Sequence, residues 1–240
     1  MTVRLDTVPE TGSTNADLLA RLAAGEHVPE GYWLVADRQT AGRGRQGRRW
    51  FDAPGNFMGS TVVNLTPNDP PPATLSFVAA LAVYEAVVTR LADPGALQLK
   101  WPNDVLLGGA KFCGLLLERE GGHAVIGIGV NLAGAPLVQD RATDSLASHG
   151  PVLARDAFAQ SLAHQFDREL SRWREFGLSP ILGRWLAAAH PLGTPLSVHD
   201  GSASRVEGTF AGLEPGGALR LSLADGTSRV IHAGDVELGN

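Results

Sequence analysis

Residues 41–50, AGRGRQGRRW, set Arg43, Arg45, Arg48 and Arg49 among three glycines, with Arg38 just upstream. Guanidinium groups are planar, permanently charged and forked, so they suit phosphate oxygens. Glycine lets a main chain pass close to a ligand and admits positive φ. The spacing Gly42-x-Gly44-x-x-Gly47 is that of a dinucleotide-binding fingerprint, which requires a helix directly after it. Here RRWFDAPGNF follows, with a proline and a glycine inside the required helix. The loop has no terminal Gly-Lys-Ser/Thr, and the chain has neither His-Arg-Asp nor Asp-Phe-Gly, so P-loop and protein-kinase readings fail. A nucleic-acid patch and a plain solvated loop remain alternatives, although the arginines would repel one another with only Asp37 and Asp52 nearby. The remaining reading is a loop that folds over a strongly anionic small molecule.

Other short stretches carry groups that could serve the same ligand. GSTN (12–15) offers the Ser13 and Thr14 hydroxyls and the Asn15 amide, which can cap a helix or meet a polar ligand head. KWPND (100–104) reads as a Pro-Asn-Asp turn. KFCGLLLE (111–118) is an apolar strand that begins with Lys111, either a snorkelling edge residue or a cation facing a cleft. Gly114, with Gly127 and Gly129 of GIGVNL (127–132) opposite, would leave room for a ligand between bulkier neighbours. The net charge of −5 excludes a molecule built as a whole to coat nucleic acid or an anionic membrane, so the arginine cluster is a local device. Cys113 is the single cysteine, which excludes an intramolecular disulfide and a Cys-rich zinc site and fits a reducing compartment. It reads as a small core residue. No signal-peptide order is visible, and no run approaches the roughly 18 apolar residues of a membrane span, so a soluble cytoplasmic protein is expected.

These groups need elements to hold them. Thr14, three before Asp17, resembles a capping-box start, and Leu18, Leu19 and Leu22 give a helical stripe that Gly25 stops. YWLVAD (32–37) and NFMGSTVVNL (56–65) read as strands, and a proline-rich connection leads into a long apolar helix over about 74–92. From 95 to 132, short apolar runs broken at Pro-Asn-Asp, Gly108-Gly109 and Gly121-Gly122 predict an antiparallel meander. RDAFAQSLAHQFDRELSRWREFG and SPILGRWLAAA read as two further helices. After Pro191, short β-branched and leucine-rich segments joined by Asp-Gly or Gly-Gly turns predict a small β-barrel.

Taken together, STN, DRQTAGRGRQGRRW, KWPND, KFCGLLLE and GIGVNL, in this order across residues 13–132, resemble the catalytic domain of the biotin protein ligases. The C-terminal region resembles that family's SH3-like domain more loosely. The resemblance implies an α+β fold, a mixed sheet flanked by helices of the class II aminoacyl-tRNA synthetase type, over 1–190, with an SH3-like β-barrel over 191–240. It implies ATP and biotin as substrates and biotinyl-5′-AMP as intermediate. The acceptor would be a lysine on the biotin carboxyl carrier domain of a carboxylase. Lys111 would touch the biotin carboxylate and the α-phosphate, and Arg45 and Arg48 would hold phosphate. Gly42, Arg43 and Gly44 would approach biotin, with Gly114 below it, while Ser13, Thr14, Asn15 and Gln39 would meet its neutral ureido end. Asn131 would read adenine, and Mg2+ would accompany ATP with Asp104 as the acid nearest it. Residues 41–50 would be a lid that closes over the acyl-adenylate, with Trp50 either anchoring it or beginning the next strand.

Two departures from the family pattern are visible: Gln46 stands where arginine is common, and Phe occupies position 112. The chain reaches GSTN by residue 12, so the winged helix-turn-helix of the family's repressor members is not expected, nor is DNA binding. A homodimer is open. A lipoate or octanoyl ligase on a related scaffold is the nearest rival, and an arginine-loop nucleic-acid module the more distant one.

Overall fold

The computed structural model describes residues 3–51, 53–138, 141–151, 153–199 and 205–239. A seven-stranded mixed sheet is built from β1 (Arg4–Val8), β2 (Tyr32–Ala36), β3 (Phe57–Asn64), β4 (Leu97–Lys100), β5 (Asp104–Leu107), β6 (Ala110–Glu120) and β7 (His123–Val130). The strand order is β1-β2-β3-β7-β6-β5-β4. β1 and β2 are parallel, joined through α1 (Thr14–Ala23); every other pair is antiparallel. The expected meander over 95–132 is β4 to β7, with its first strand beginning at Leu97. β1 has no counterpart in the sequence reading, because RLDTV is too short and too polar to stand out.

Period-2 alternation divides the sheet into two faces. Trp33, Val35, Phe57, Ile126, Ile128 and Val130 turn to one face, where α2 (Leu75–Val87), α3 (Arg155–Phe176) and α4 (Leu178–Ala188) cover them. Tyr32, Leu34, Val62 and Val125 turn to the other, where Leu18 and Val28 complete a smaller cluster under α1. α2 is apolar all round, which marks a helix enclosed on every side. Pro72–Arg90 is in fact long and apolar enough, by length and composition, to cross a membrane. The sequence expectation that no run qualifies is corrected. Here α2 lies buried between the sheet, α3 and α4.

The helix caps shift the sequence reading by one residue. Ser13, not Thr14, is the N-cap of α1, its side chain accepting from the Ala16 N–H. α2 ends at Val87 and a 3-10 turn, Val88–Arg90, carries the chain on.

Residues 195–238 form β8 (Pro195–His199), β9 (Arg205–Leu213), β10 (Leu219–Ser222), β11 (Ser228–Ile231) and β12 (Asp235–Leu238). They pair antiparallel in the order β11-β10-β9-β8-β12. No ladder joins β11 to β12 among the described strands, so the expected barrel is an antiparallel sheet without hydrogen-bonded closure. The Asp200-Gly201 turn lies outside the described residues. Leu196, Val198, Phe210 and Leu219 belong to the same buried cluster as the large sheet, so the two sheets share one core. The Trp101 indole N–H donates to the Gly217 carbonyl at 3.0 Å, and Phe77 packs where a Gly217 side chain would stand. His190, at the join, is 3% exposed against the Phe210 ring, and neither ring nitrogen has a hydrogen-bond partner among the described residues.

Candidate active site

On the α1 face, beyond the small apolar cluster, the central strands give up their bulk. Cross-strand registers align Met58, Gly129, Gly114 and Asp104 in one row, and Ser60, Gly127 and Leu116 in the next. A third row runs Val62, Val125, Glu118. The glycines make a floor with α1 and the arginine-glycine loop above it.

One backbone irregularity completes this face. Lys111 and Gly114 are three apart, so a regular strand would send them to opposite sides. The β5–β6 ladder pairs Val105 with Cys113 but Leu106 with Lys111, leaving Phe112 as an extra residue. This bulge places both Phe112 and Cys113 in the core and returns Lys111 to the glycine face. The Lys111 ammonium reaches over Gly114, where a Cβ would lie 3.2 Å from Nζ. Burial pushes the Cys113 thiol well above its ordinary range, which fits the inert core role expected of it.

The polar end of the face lies at the N-terminus of α1. The Thr14 N–H donates to Gln39 Oε1 at 2.8 Å, Thr14 Oγ1 lies 2.7 Å from Ser60 Oγ, and Ser60 Oγ donates to Asn15 Oδ1 at 2.6 Å. Ser13, Thr14, Asn15 and Gln39 are all less than a tenth exposed. Ser60 was not singled out from the sequence; it is one hydroxyl inside an apolar strand, and only the register reveals it beside Gly127.

The cationic end lies at Lys111. Its ammonium donates to Asp104 Oδ1 at 2.5 Å, and Lys100 Nζ stands 3.6 Å from Asp104 Oδ2. Burial alone would raise the Asp104 carboxyl, but Lys111 and then Lys100 outweigh it and hold it below the usual carboxylate range. Burial lowers the Lys100 ammonium, partly offset by Asp104. Asp104 thus faces two ammonium groups. No group of three or more His, Cys, Asp or Glu is assembled among the described residues. The described residues therefore build no all-protein cage for a metal, and a magnesium ion carried by substrate phosphates would need none.

The loop doubles back on itself: Gly44 N–H donates to the Arg48 carbonyl at 2.7 Å and Trp50 N–H to the Gly42 carbonyl at 2.9 Å. Gly42 passes so close to Trp50 that a Cβ would lie 2.8 Å from its carbonyl oxygen. Gln46 takes the left-handed region at φ 56°, so the position where arginine is common is the tip of the turn. Arg43 binds Glu118, Arg45 donates to Asn103 Oδ1 at 3.1 Å, and Arg48 pairs with Asp235 of β12 at 2.7 Å. Each arginine expected at a ligand therefore has a protein acceptor, and an anion would bind by exchanging partners with it. Arg45, Arg48, Lys100, Lys111 and Arg141 line a cavity of about 480 Å³, which Asp235 and Val236 bound from the second sheet. Lys100 and Arg141 were missed by the sequence reading, Arg141 because nothing around it forms a motif.

Trp50 does not begin the next strand, since β3 starts at Phe57. Its indole lies flat on Gly129 and against Gly114, with Nε1 buried and unpartnered. It leaves about 30 Å³ at the polar end, room for a water molecule or two. Asn131 is 1% exposed, and its Nδ2 donates to the Asp144 and Lys111 carbonyls at 3.1 and 3.4 Å. Its Oδ1 lies 3.4 Å from Asn56 Nδ2.

A polar end, a glycine floor and a cationic end on one sheet face suit a long ligand with a neutral head and an anionic tail. The model of the biotin/lipoate A/B protein ligase family matches residues 11–131, and that of the biotin protein ligase C-terminal domain matches residues 202–239. A biotin–[acetyl-CoA-carboxylase] ligase of Paracoccus denitrificans is 40% identical over 95% of this chain and 98% of its own length. One of Mycobacterium tuberculosis is 36% identical over 97% and 88%. The biotin protein ligase of Aquifex aeolicus, solved with biotin and ATP, superposes with a TM-score of 0.84 at 26% identity, covering 98% of both chains. On the match of its sequence and the agreement of its fold, the chain belongs to the biotin/lipoate A/B protein ligase family.

Proposed function

We propose that the chain joins biotin to ATP to form biotinyl-5′-AMP and passes the biotinyl group to a lysine on a biotin carboxyl carrier domain. The supporting observation is the polarity of the glycine-floored face, neutral at Thr14, Asn15 and Gln39 and cationic at Lys111, Arg45 and Arg48. In the first step a carboxylate oxygen bonds to the α-phosphorus, the bond to the β-phosphate breaks, and pyrophosphate leaves. Like charges at ~4 Å repel by about 1 kcal/mol in water and several-fold more in a drier site, so cations must stand where they meet. Lys111, freed from Asp104 as the anion arrives, is placed for this, and Lys100 remains beside the buried carboxylate. In the second step the acceptor amine bonds to the acyl carbon, AMP leaves, and the amine loses a proton. No serine or cysteine nucleophile is needed. Magnesium would come with ATP on its phosphate oxygens. Asn131 Oδ1 would accept from the adenine amine.

The polar end favours biotin over lipoate. A dithiolane would leave buried hydroxyl and amide groups without partners, which a site built for hydrogen bonds rejects strongly. Biotin-dependent exchange of labelled pyrophosphate into ATP tests the reading; exchange driven by lipoate instead would overturn it. Arg45→Ala should lose about 2 kcal/mol of adenylate retention, roughly a thirtyfold faster release of biotinyl-AMP, for one charge-assisted bond. An unchanged off-rate would remove Arg45 from the phosphate site. Gly129→Val should displace the Trp50 indole and weaken biotin binding at least tenfold, about 1.4 kcal/mol. Calorimetric titration with biotin reads this, and wild-type affinity would show that the floor lies elsewhere. A division near 190/191, a cytoplasmic location and a homodimer belong to the same proposal.

A further inference from the structure

We infer that Glu118 is a positioning residue that sets the hydrogen-bond polarity of the cavity's neutral end; this rests on the biotin reading above. Glu118 stands on the glycine face, in the row with Val62 and Val125, about a quarter exposed. Arg43 Nη2 lies 2.8 Å from both its carboxylate oxygens, and Asn15 Nδ2 donates to Oε2 at 2.9 Å. An ionised carboxylate only accepts. It therefore draws the nitrogen of the Asn15 amide toward itself and turns Oδ1 toward Ser60. Ser60 has one hydroxyl proton and spends it on Asn15 Oδ1, 2.6 Å away. The Thr14–Ser60 contact at 2.7 Å then has Thr14 as donor, ahead of the longer contact from Thr14 Oγ1 to Gln39 Oε1 at 3.2 Å. With its proton committed, Thr14 Oγ1 presents lone pairs, the acceptor that the N–H of a cyclic urea requires. The direction of three successive bonds is thus set chiefly by one acid at the far end of the chain, with the Leu116 carbonyl, 3.4 Å from Asn15 Nδ2, as the longer second acceptor.

Arg43 completes the arrangement. It neutralises Glu118, so this end carries no net charge, and the bond ties the first half of the arginine-glycine loop to β6. Two main-chain bonds hold the same half to the segment before α1: Thr40 N–H to the Thr11 carbonyl at 2.9 Å and Ala41 N–H to the Gly12 carbonyl at 2.8 Å. Arg43 therefore orders the neutral end, while Arg45 and Arg48 serve the anionic one.

Glu118→Gln separates polarity from packing, because it keeps the shape and can still accept from Arg43. Its amide lets the chain of donors run either way. In pyrophosphate exchange the variant should raise the biotin KM at least tenfold and leave the ATP KM within twofold. Its biotin-over-lipoate preference should fall by a similar factor, with an unchanged thermal midpoint. Glu118→Ala should do at least as much, and adding Arg43→Ala to it should cost little more. A Glu118→Gln enzyme with biotin KM within twofold of wild type would overturn the inference, as would an equal rise in the ATP KM. If Glu118→Ala does not fold, Glu118→Gln decides alone. Absence of biotin-dependent exchange in the wild type would instead overturn the proposed function, so the two failures are distinct.

Discussion

Lys111→Ala is expected to abolish biotin-dependent pyrophosphate exchange, by roughly 10²–10³-fold or about 3–4 kcal/mol, while the protein stays folded. The size follows from where the ammonium stands. It projects over Gly114 between the polar end and the arginines, where the biotin carboxylate and the α-phosphate must come together. Arg45 and Arg48 come from a loop whose other partners are Asn103 and Asp235, whereas Lys111 comes from a central strand. The fold should survive because removing Lys111 does not strand Asp104: Lys100 remains 3.6 Å from its second oxygen. Exchange and thermal unfolding measured on the same preparation separate the two effects. Exchange at the wild-type rate would take Lys111 out of the chemistry, and a collapsed thermal midpoint would make it a structural cation.

The second large effect is on stability and comes from His190. Burial at the join between the two sheets pushes its imidazole down to about 4 from an ordinary 6.5. The folded state therefore refuses a proton that the unfolded chain accepts. The stability associated with a neutral His190 is fully present above pH 6.5, declines as pH falls toward 4, and is lost below it. That interval corresponds to about 3 kcal/mol. His190→Leu keeps an apolar group against Phe210 and removes the titration. Urea unfolding at pH 7, 5.5 and 4 should show a gap between wild type and variant that grows as the pH falls. Parallel pH profiles would show that His190 takes up its proton without opening the join.

Much of the site was legible because its parts are local. The arginine-glycine loop, GSTN and KWPND announce themselves by residue type, and the glycine pair at 127 and 129 announces the floor. The meander was legible because Gly108-Gly109 and Gly121-Gly122 sit at its turns. What could not be read depends on register and burial. Ser60 matters only through its row with Gly127, and Glu118 only through the strand parity that puts it on the α1 face. Arg141 comes to the cavity on a segment that runs beside Lys111 through main-chain bonds. Asp104 was expected beside a metal on the resemblance alone, and no motif announces the two lysines, Lys100 and Lys111, that converge on it. The apolar run at 72–90 shows the same limit, since composition alone does not distinguish a lipid neighbour from a protein one.

The extra residue in β6 has a consequence for how this enzyme could be changed. Because side-chain direction along a strand alternates, deleting Phe112 would leave Lys111 two places from Gly114, still on the ligand face, and would take away only a ring from the core. A strand that kept Phe112 but ran without the bulge would instead turn Lys111 toward the packed helices, leaving a protein with every motif intact and no reaction. In this strand, counting matters as much as spelling.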